Sequence, residues 1–202
     1  MQWIMSVLIG VALSATCGFR IFIPLLGIGI ACRAGHLSID PDFQWIASYP
    51  ALAAFAVASV LEVGTYYIPW LDNLMDTIAT PAAVVAGTIA TASVVTDMSP
   101  LLRWSLAIVA GGGAAAAVQS ASVVARGAST AVTGGIGNPI ISTLELAASI
   151  IGTILAIVLP VIAIAFLITV ILFLSRKKIM SLFSSKEPAG IHSVPPHPER
   201  SS

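Results

Sequence analysis

Charged side chains are so widely spaced in this sequence that whole stretches have none. Residues 77–96, 104–125 and 146–175 carry no Asp, Glu, Lys or Arg, residues 1–32 hold only Arg20, and residues 43–71 hold only Glu62. A helix that crosses a bilayer needs about 20 mostly apolar residues, so each stretch is long enough to cross. Composition removes the alternatives. Of 202 residues, 57% are apolar and 9% charged, whereas a soluble domain uses about 25% charged residues to coat its surface. Disordered chains have the opposite bias, poor in apolar residues and rich in charge. Nine basic and nine acidic residues cancel, which leaves no field to gather nucleic acid. The fold class that follows is all-α: a polytopic transmembrane helix bundle of five spans, near 3–32, 48–69, 81–97, 101–125 and 146–175. Residues 1–180 are read as the membrane domain and 184–202, rich in Ser, Pro and charge, as a disordered tail.

Boundary chemistry refines this picture. Thr80-Pro81, Ser99-Pro100 and Asn138-Pro139 each set a capping side chain before a proline suited to a first helical turn. Asp40-Pro41 predicts a short interfacial helix before the second span. Trp3, Trp45, Trp70 and Trp104 fall near predicted ends, where amphipathic rings favour headgroups. The first and last spans exceed one straight crossing, and Pro24 and Pro160 within them predict kinks, with a re-entrant first segment as the alternative. Cys17 and Cys32 lack metal or redox spacing and read as two thiols. No basic segment precedes Arg20, so the start is not a secretory signal.

Arg176, Lys177 and Lys178 follow the last span, and the positive-inside rule puts that end in the cytoplasm. Five-span parity then sets loop 33–47, turn 97–100 and the tail inside. The N-terminus, loop 70–80 and loop 126–142 lie outside, so Asp72, Asp76, Arg126, Asn138 and Glu145 gather at one face. Arg20 and Glu62 fall about 20 Å from the cytoplasmic ends of an antiparallel helix pair, at 1.5 Å per residue, and at matching depth they can pair. A charge at mid-membrane costs at least about 2.5 kcal/mol and faces a bundle interior or a cavity. Arg20 and Glu62 are therefore candidates for a polar pathway; a structural ion pair locking the two spans is the alternative.

Asp72 and Asp76 share a face if their stretch is helical, so they are weak candidates for a divalent cation. Thr133-Gly134-Gly135-Ile136-Gly137-Asn138-Pro139 is a glycine-rich approach to a helix start, not a nucleotide motif. Gly111, Gly112 and Gly113 predict a close approach by a neighbouring helix. Ser59-Val60-Leu61-Glu62 echoes Ser142-Thr143-Leu144-Glu145, but the intervals to the upstream arginines, Arg20 and Arg126, differ too much for an internal repeat.

Several of these segments together carry a resemblance. Gly18-Phe19-Arg20-Ile21-Phe22-Ile23-Pro24-Leu25, Glu62 through Ile68-Pro69-Trp70-Leu71-Asp72-Asn73-Leu74-Met75-Asp76-Thr77-Ile78-Ala79-Thr80-Pro81, Arg126–Thr130, and Thr133–Pro139 with Glu145 are similar to the bacterial membrane family called domain of unknown function 4126. The resemblance covers about residues 8–170. It implies a multi-pass protein of the bacterial inner membrane and supplies no catalytic residues.

The expected function is a transporter or channel-like protein for a small solute or ion. Its pathway candidates are Arg20, Glu62, Asp72, Asp76, Arg126, Asn138 and Glu145. No cofactor is called for. The expected partners are the lipid bilayer and further copies of the chain, and nucleic acid is not among them. Two other readings remain, a metal-dependent membrane enzyme acting on a lipid-linked substrate through Asp72 and Asp76, and an accessory membrane subunit. The thin acidic constellation favours a non-enzymatic role.

Overall fold

The computed structural model describes residues 2–65, 69–160, 162 and 169, with the side chains of residues 2 and 69–76 left aside. Residues Met1–Leu167 form one compact unit and Ile168–Ser202 a second; all the helices named below lie in the first. The expected tail 184–202, the basic run after residue 175 and most of the span beyond Pro160 fall outside the described residues. Among those described there are seven α-helices and no strand. They are α1 (Gln2–Cys17), α2 (Phe22–Arg33), α3 (Tyr49–Thr65), α4 (Pro69–Val94), α5 (Pro100–Leu106), α6 (Gly113–Thr133) and α7 (Asn138–Val158). A 310 helix, Pro41–Ala47, precedes α3, and a π-helical segment, Ala107–Gly112, joins α5 to α6.

Among the described residues, three helices are long and apolar enough to cross a bilayer: Thr77–Val94 of α4, the continuous Pro100–Thr133, and α7. Pro41–Ala47 with α3, bent by 59°, makes a fourth if it is counted as one span. That is fewer than the five expected, and the difference lies in the first. The kinked span 3–32 is instead two short helices of 16 and 12 residues, about 24 and 18 Å long at 1.5 Å per residue, each too short to cross about 30 Å of hydrocarbon.

Contacts with α7 show that α2 turns back on α1. Antiparallel packing sets Thr16 of α1 beside Ser149 and Thr153 of α7. A chain continuing straight on would bring Gly27 to the 138–142 end of α7. Gly27 instead lies against the methyl of the same Thr153. Both open ends of this hairpin reach one end of the bundle. There the Thr91 hydroxyl donates to Gly10 O at 3.0 Å, Gly29 packs on Ile46 and Leu52, and Asp40 N–H donates to Ser93 O at 2.8 Å. The break falls at Gly18–Ile21, upstream of Pro24, which occupies the first turn of α2 where its missing N–H costs nothing.

Other boundaries bear on the site. Pro81 does not start a helix but lies inside α4, so 70–80 is helix rather than loop. Arg126 likewise belongs to α6, and the expected loop 126–142 shrinks to the connection 134–137. Pro100, Pro139 and Pro41 do begin helical segments, and the Asp40 side chain accepts from Asp42 N–H. Before Pro160, α7 stops at Val158 and Leu159 leaves helical geometry, as the position before a proline favours; the span beyond it lies outside the described residues.

Large apolar residues cover the outside of the bundle, and polar side chains are buried beside its apolar core. Val57, Val60, Val85, Val109, Val124, Ile140, Leu144, Ile151 and Ile154 are exposed, whereas Ser14, Arg20, Thr91, Gln119, Arg126, Ser142, Glu145, Ser149 and Thr153 are buried. Apolar residues outside and polar residues inside is the arrangement a bilayer selects. Small residues allow close approach, since Gly87, Gly111 and Gly112 seat α4 against the π-helical segment and α1, while Gly113 faces open space. At the hairpin turn a Cβ on Gly18 would fall 2.6 Å from Ala115 O and 2.9 Å from Gln119 N, both backbone atoms. Gly18→Ala is therefore expected to destabilise the protein by about 1–3 kcal/mol through overpacking. Gly113→Ala should stay within about 0.5 kcal/mol. Thermal unfolding in detergent followed by circular dichroism checks both, and equal effects would contradict the packing described.

Candidate functional site

The two largest fully buried side chains among the described residues are arginines, Arg20 and Arg126. A guanidinium cannot shed its charge in a protein, so burial requires partners, and one carboxylate serves both. Glu145 Oε2 lies 3.8 Å from Arg20 Nη2 and Glu145 Oε1 lies 3.4 Å from Arg126 Nε. Hydroxyls complete the setting. Arg20 donates to Ser142 O at 2.8 Å and to the Ser142 hydroxyl. Arg126 donates to the Ser122 hydroxyl at 3.2 Å, and that hydroxyl donates to Glu145 Oε1.

Each element delivers its residue for a local reason. Arg20 sits at the tip of the hairpin, where the chain turns through Gly18 and Phe19. Their N–H groups donate to Ala15 O and Thr16 O, both at 3.1 Å. On α6, positions 119, 122 and 126 share one face by their spacing of three and four. On α7, Asn138, Ser142, Glu145, Ser149 and Thr153 recur at the same spacing and are all buried. This polar stripe runs about 22 Å along the helix at 1.5 Å per residue. It faces the hairpin, while Leu144, Ile151 and Ile154 face out. At one end Asn138 Nδ2 donates to the Thr130 hydroxyl at 3.0 Å; at the other Thr153 donates to Thr16 at 3.3 Å.

Glu62 serves the hairpin differently from the pairing expected. Its carboxylate accepts the N–H of Ile21 at 2.8 Å and of Phe22 at 3.3 Å. These are among the first N–H groups of α2, which have no partner within the helix. The negative charge also meets the positive end of the helix dipole. Glu62 is thus a cap supplied by another helix, immediately beside Arg20 in the chain. Within ion-pair distance of the Arg20 guanidinium lies the carboxylate of Glu145, at 3.8 Å. Glu62 also lines an open cavity of about 290 Å³ between the start of α2, α3 and α4, otherwise walled by Ile21, Phe22, Leu61, Thr65, Ile78 and small residues.

Of the residues singled out in sequence, Arg20, Arg126 and Glu145 meet directly, Glu62 caps the same turn, and Asn138 lies on the same stripe. They occupy the bundle interior rather than a mouth between loops. Asp72 and Asp76 belong to α4, and their side chains lie outside the described residues. Elsewhere no group of three or more His, Cys, Asp or Glu able to hold a metal occurs among the described residues. The sequence reading missed Gln119, Ser122, Ser142, Ser149 and Thr153. The periodicity of polar residues along α7 was the signal available for three of them. At the opposite end of the bundle Arg103 pairs with Asp40 and with Asp42, the latter at 3.1 Å, and its neighbour Trp104 packs on Phe43. That joins loop 33–47 to the start of α5, just after the turn 97–100 expected at the same face.

A carboxylate between two buried guanidiniums is the keystone of this set. Neutralising it leaves two cations facing each other away from water. Glu145→Gln is expected to cost about 3–5 kcal/mol, with part of the loss recovered in Glu145→Gln/Arg126→Gln. Unfolding in detergent measures both, and a silent single variant would contradict the arrangement.

The model of the family described as Domain of unknown function (DUF4126) matches residues 7–178, and the chain belongs to that family. No curated protein and no solved structure matches the chain.

Proposed function

We propose that this member of the DUF4126 family is a channel- or transporter-like protein of the bacterial inner membrane that moves a small solute or ion along the polar stripe of α7. One observation carries the reading: a helical hairpin ends inside an apolar bundle and presents Arg20 to a continuous file of buried polar side chains. Irregular backbone at membrane depth is tolerated where it is buried in protein or lines a water-filled path. Discontinuous helices with charged groups at their broken ends are a recurring way to build ion and substrate sites. Arg20, Glu145 and Arg126 set the charge of the path, and Asn138 leads from it toward the 134–137 connection. Glu62 holds the hairpin tip and could release it when protonated. Asp72 and Asp76, on the stretch of α4 that antiparallel register sets opposite residues 125–130 of α6, form the approach. The basic run after residue 175 orients the chain with its C-terminus in the cytoplasm. So small a bundle would work as a homo-oligomer in the bilayer.

A structural role for the same charges predicts something different. The protein is reconstituted into liposomes, and the movement of protons, Na⁺, K⁺, chloride and acetate is followed. The wild type is expected to conduct at least one of them. Arg20→Gln and Glu62→Gln should lower that flux at least about tenfold, equivalent to about 1.4 kcal/mol, while remaining inserted and monodisperse. Flux unchanged in both variants, or no flux of any ion in the wild type, contradicts the proposal.

A further inference from the structure

The cavity beside the hairpin tip has walls of hydrocarbon, although Glu62 belongs to them. It measures about 290 Å³ and opens outward between the start of α2, α3 and α4. The Glu62 oxygens are turned to the amides of Ile21 and Phe22, at 2.8 and 3.3 Å. The Thr65 hydroxyl donates to Glu62 O at 2.8 Å. What remains to face the space is the side chains of Ile21 and Phe22, those of Leu61 and Ile78, and methyls such as those of Ala58 and Ala82. An apolar cavity of this kind does not hold water, and a void leaves its lining without contacts on one side. Something apolar fills it.

Its position says what. Leu61 and Ile78 border the cavity and are exposed, and outward residues of the same two helices, Val57, Val60 and Val85, are exposed too. The cavity is therefore continuous with the apolar outside of the bundle. Ile78 lies within Thr77–Val94, the part of α4 long and apolar enough to cross a bilayer. Helices in membranes approach one another through small residues. Branched residues at the rim hold a neighbouring helix off, whereas a polymethylene chain is slim enough to pass between them. Ligand pockets begin at about 300 Å³, so the space takes one chain rather than a whole lipid. We infer that it binds one acyl chain of a bilayer phospholipid, packed on Ile21 and Phe22 at the start of α2. The bound chain buttresses the same turn that Glu62 caps. Charge takes no part in the recognition, since the Glu62 oxygens stay on their amides and Glu145 lies between Arg20 and Arg126. This site goes beyond the transport reading and holds whether or not an ion moves along α7.

The test uses the full-length protein in nanodiscs of phosphatidylcholine, with a trace of phosphatidylcholine that carries a diazirine in one acyl chain. Light expels N2 from the diazirine, and the carbene left behind inserts into the nearest bond. Mass spectrometry of the digested protein then locates the adducts. Adducts at Ile21, Phe22 and Ile78 are expected to exceed those at the outward Val124 and Ile151 at least about fivefold, equivalent to about 1 kcal/mol. Ala58→Leu and Ala82→Leu each fill the space from one wall, and whichever remains folded should lose that excess. Even labelling of the cavity and the outer residues in the wild type overturns the inference. So does a folded Ala58→Leu or Ala82→Leu protein labelled as strongly as the wild type. With Cys17 and Cys32 replaced by alanine, Leu61→Cys should not join two chains on oxidation. A disulfide between copies there would mean that a second copy, and not a lipid chain, covers the rim.

Discussion

The structure is organised around one carboxylate, that of Glu145, held between the guanidiniums of Arg20 and Arg126 with Ser122 and Ser142 filling in. Two permanently charged side chains inside an apolar bundle are intolerable singly. Their shared acceptor ties together three parts of the chain: the hairpin tip, α6 and α7. Hydrophobic burial cannot do this in a membrane, because lipid is as apolar as the helix faces, and polar contacts with close packing take over. The glycines at the α1, α4 and π-helical crossing supply the close packing. The charge cluster supplies the direction.

From that constraint the hairpin becomes intelligible. A helix that stops at mid-depth exposes amide and carbonyl groups that lipid cannot satisfy. Here the turn is buried, and the amides opening α2 receive Glu62 from α3. Two acidic residues on two helices therefore serve one turn, Glu62 its backbone and Glu145 its side chain. They are the final residues of the two Ser-x-Leu-Glu segments, which the intervals between arginine and glutamate had argued against linking. The echo does not make an internal repeat of the fold, but both copies end at the same place.

Much of this was legible in sequence. The charge-free stretches marked the helices from 77 onward, the prolines at 41, 100 and 139 marked helix starts, and an arginine and a glutamate in apolar surroundings marked the interior. What was hidden depended on partners distant in sequence. Pro24 near the middle of an apolar stretch reads as a kink, because the residue that caps α2 is Ile21, with no capping side chain of its own. The cap comes from Glu62, about forty residues on, and no local rule sees it. Glu145 as a partner of Arg20 was missed for a related reason. Matching depth was reckoned along a straight first span, and a chain that folds back brings α7 to the tip as well as α3. At Pro81 the opposite error arose, since a Thr-Pro pair reads as a start although the surrounding helix runs through it. The polar stripe of α7 was written plainly at spacings of three and four, yet individual serines and threonines carry too little charge to stand out beside Arg and Glu.

The most direct test of the account asks where α2 goes after the turn. In a background with Cys17→Ala and Cys32→Ala, paired cysteines are introduced at Gly27 and Thr153, or at Gly27 and Ile141, and native membranes are oxidised. A disulfide needs Cα atoms within about 7 Å. Chain reversal at Arg20 predicts rapid crosslinking of Gly27→Cys with Thr153→Cys and none with Ile141→Cys. Crosslinking of the second pair alone would mean that the first helix runs straight on, and with it the buried tip and everything assembled around it would be lost.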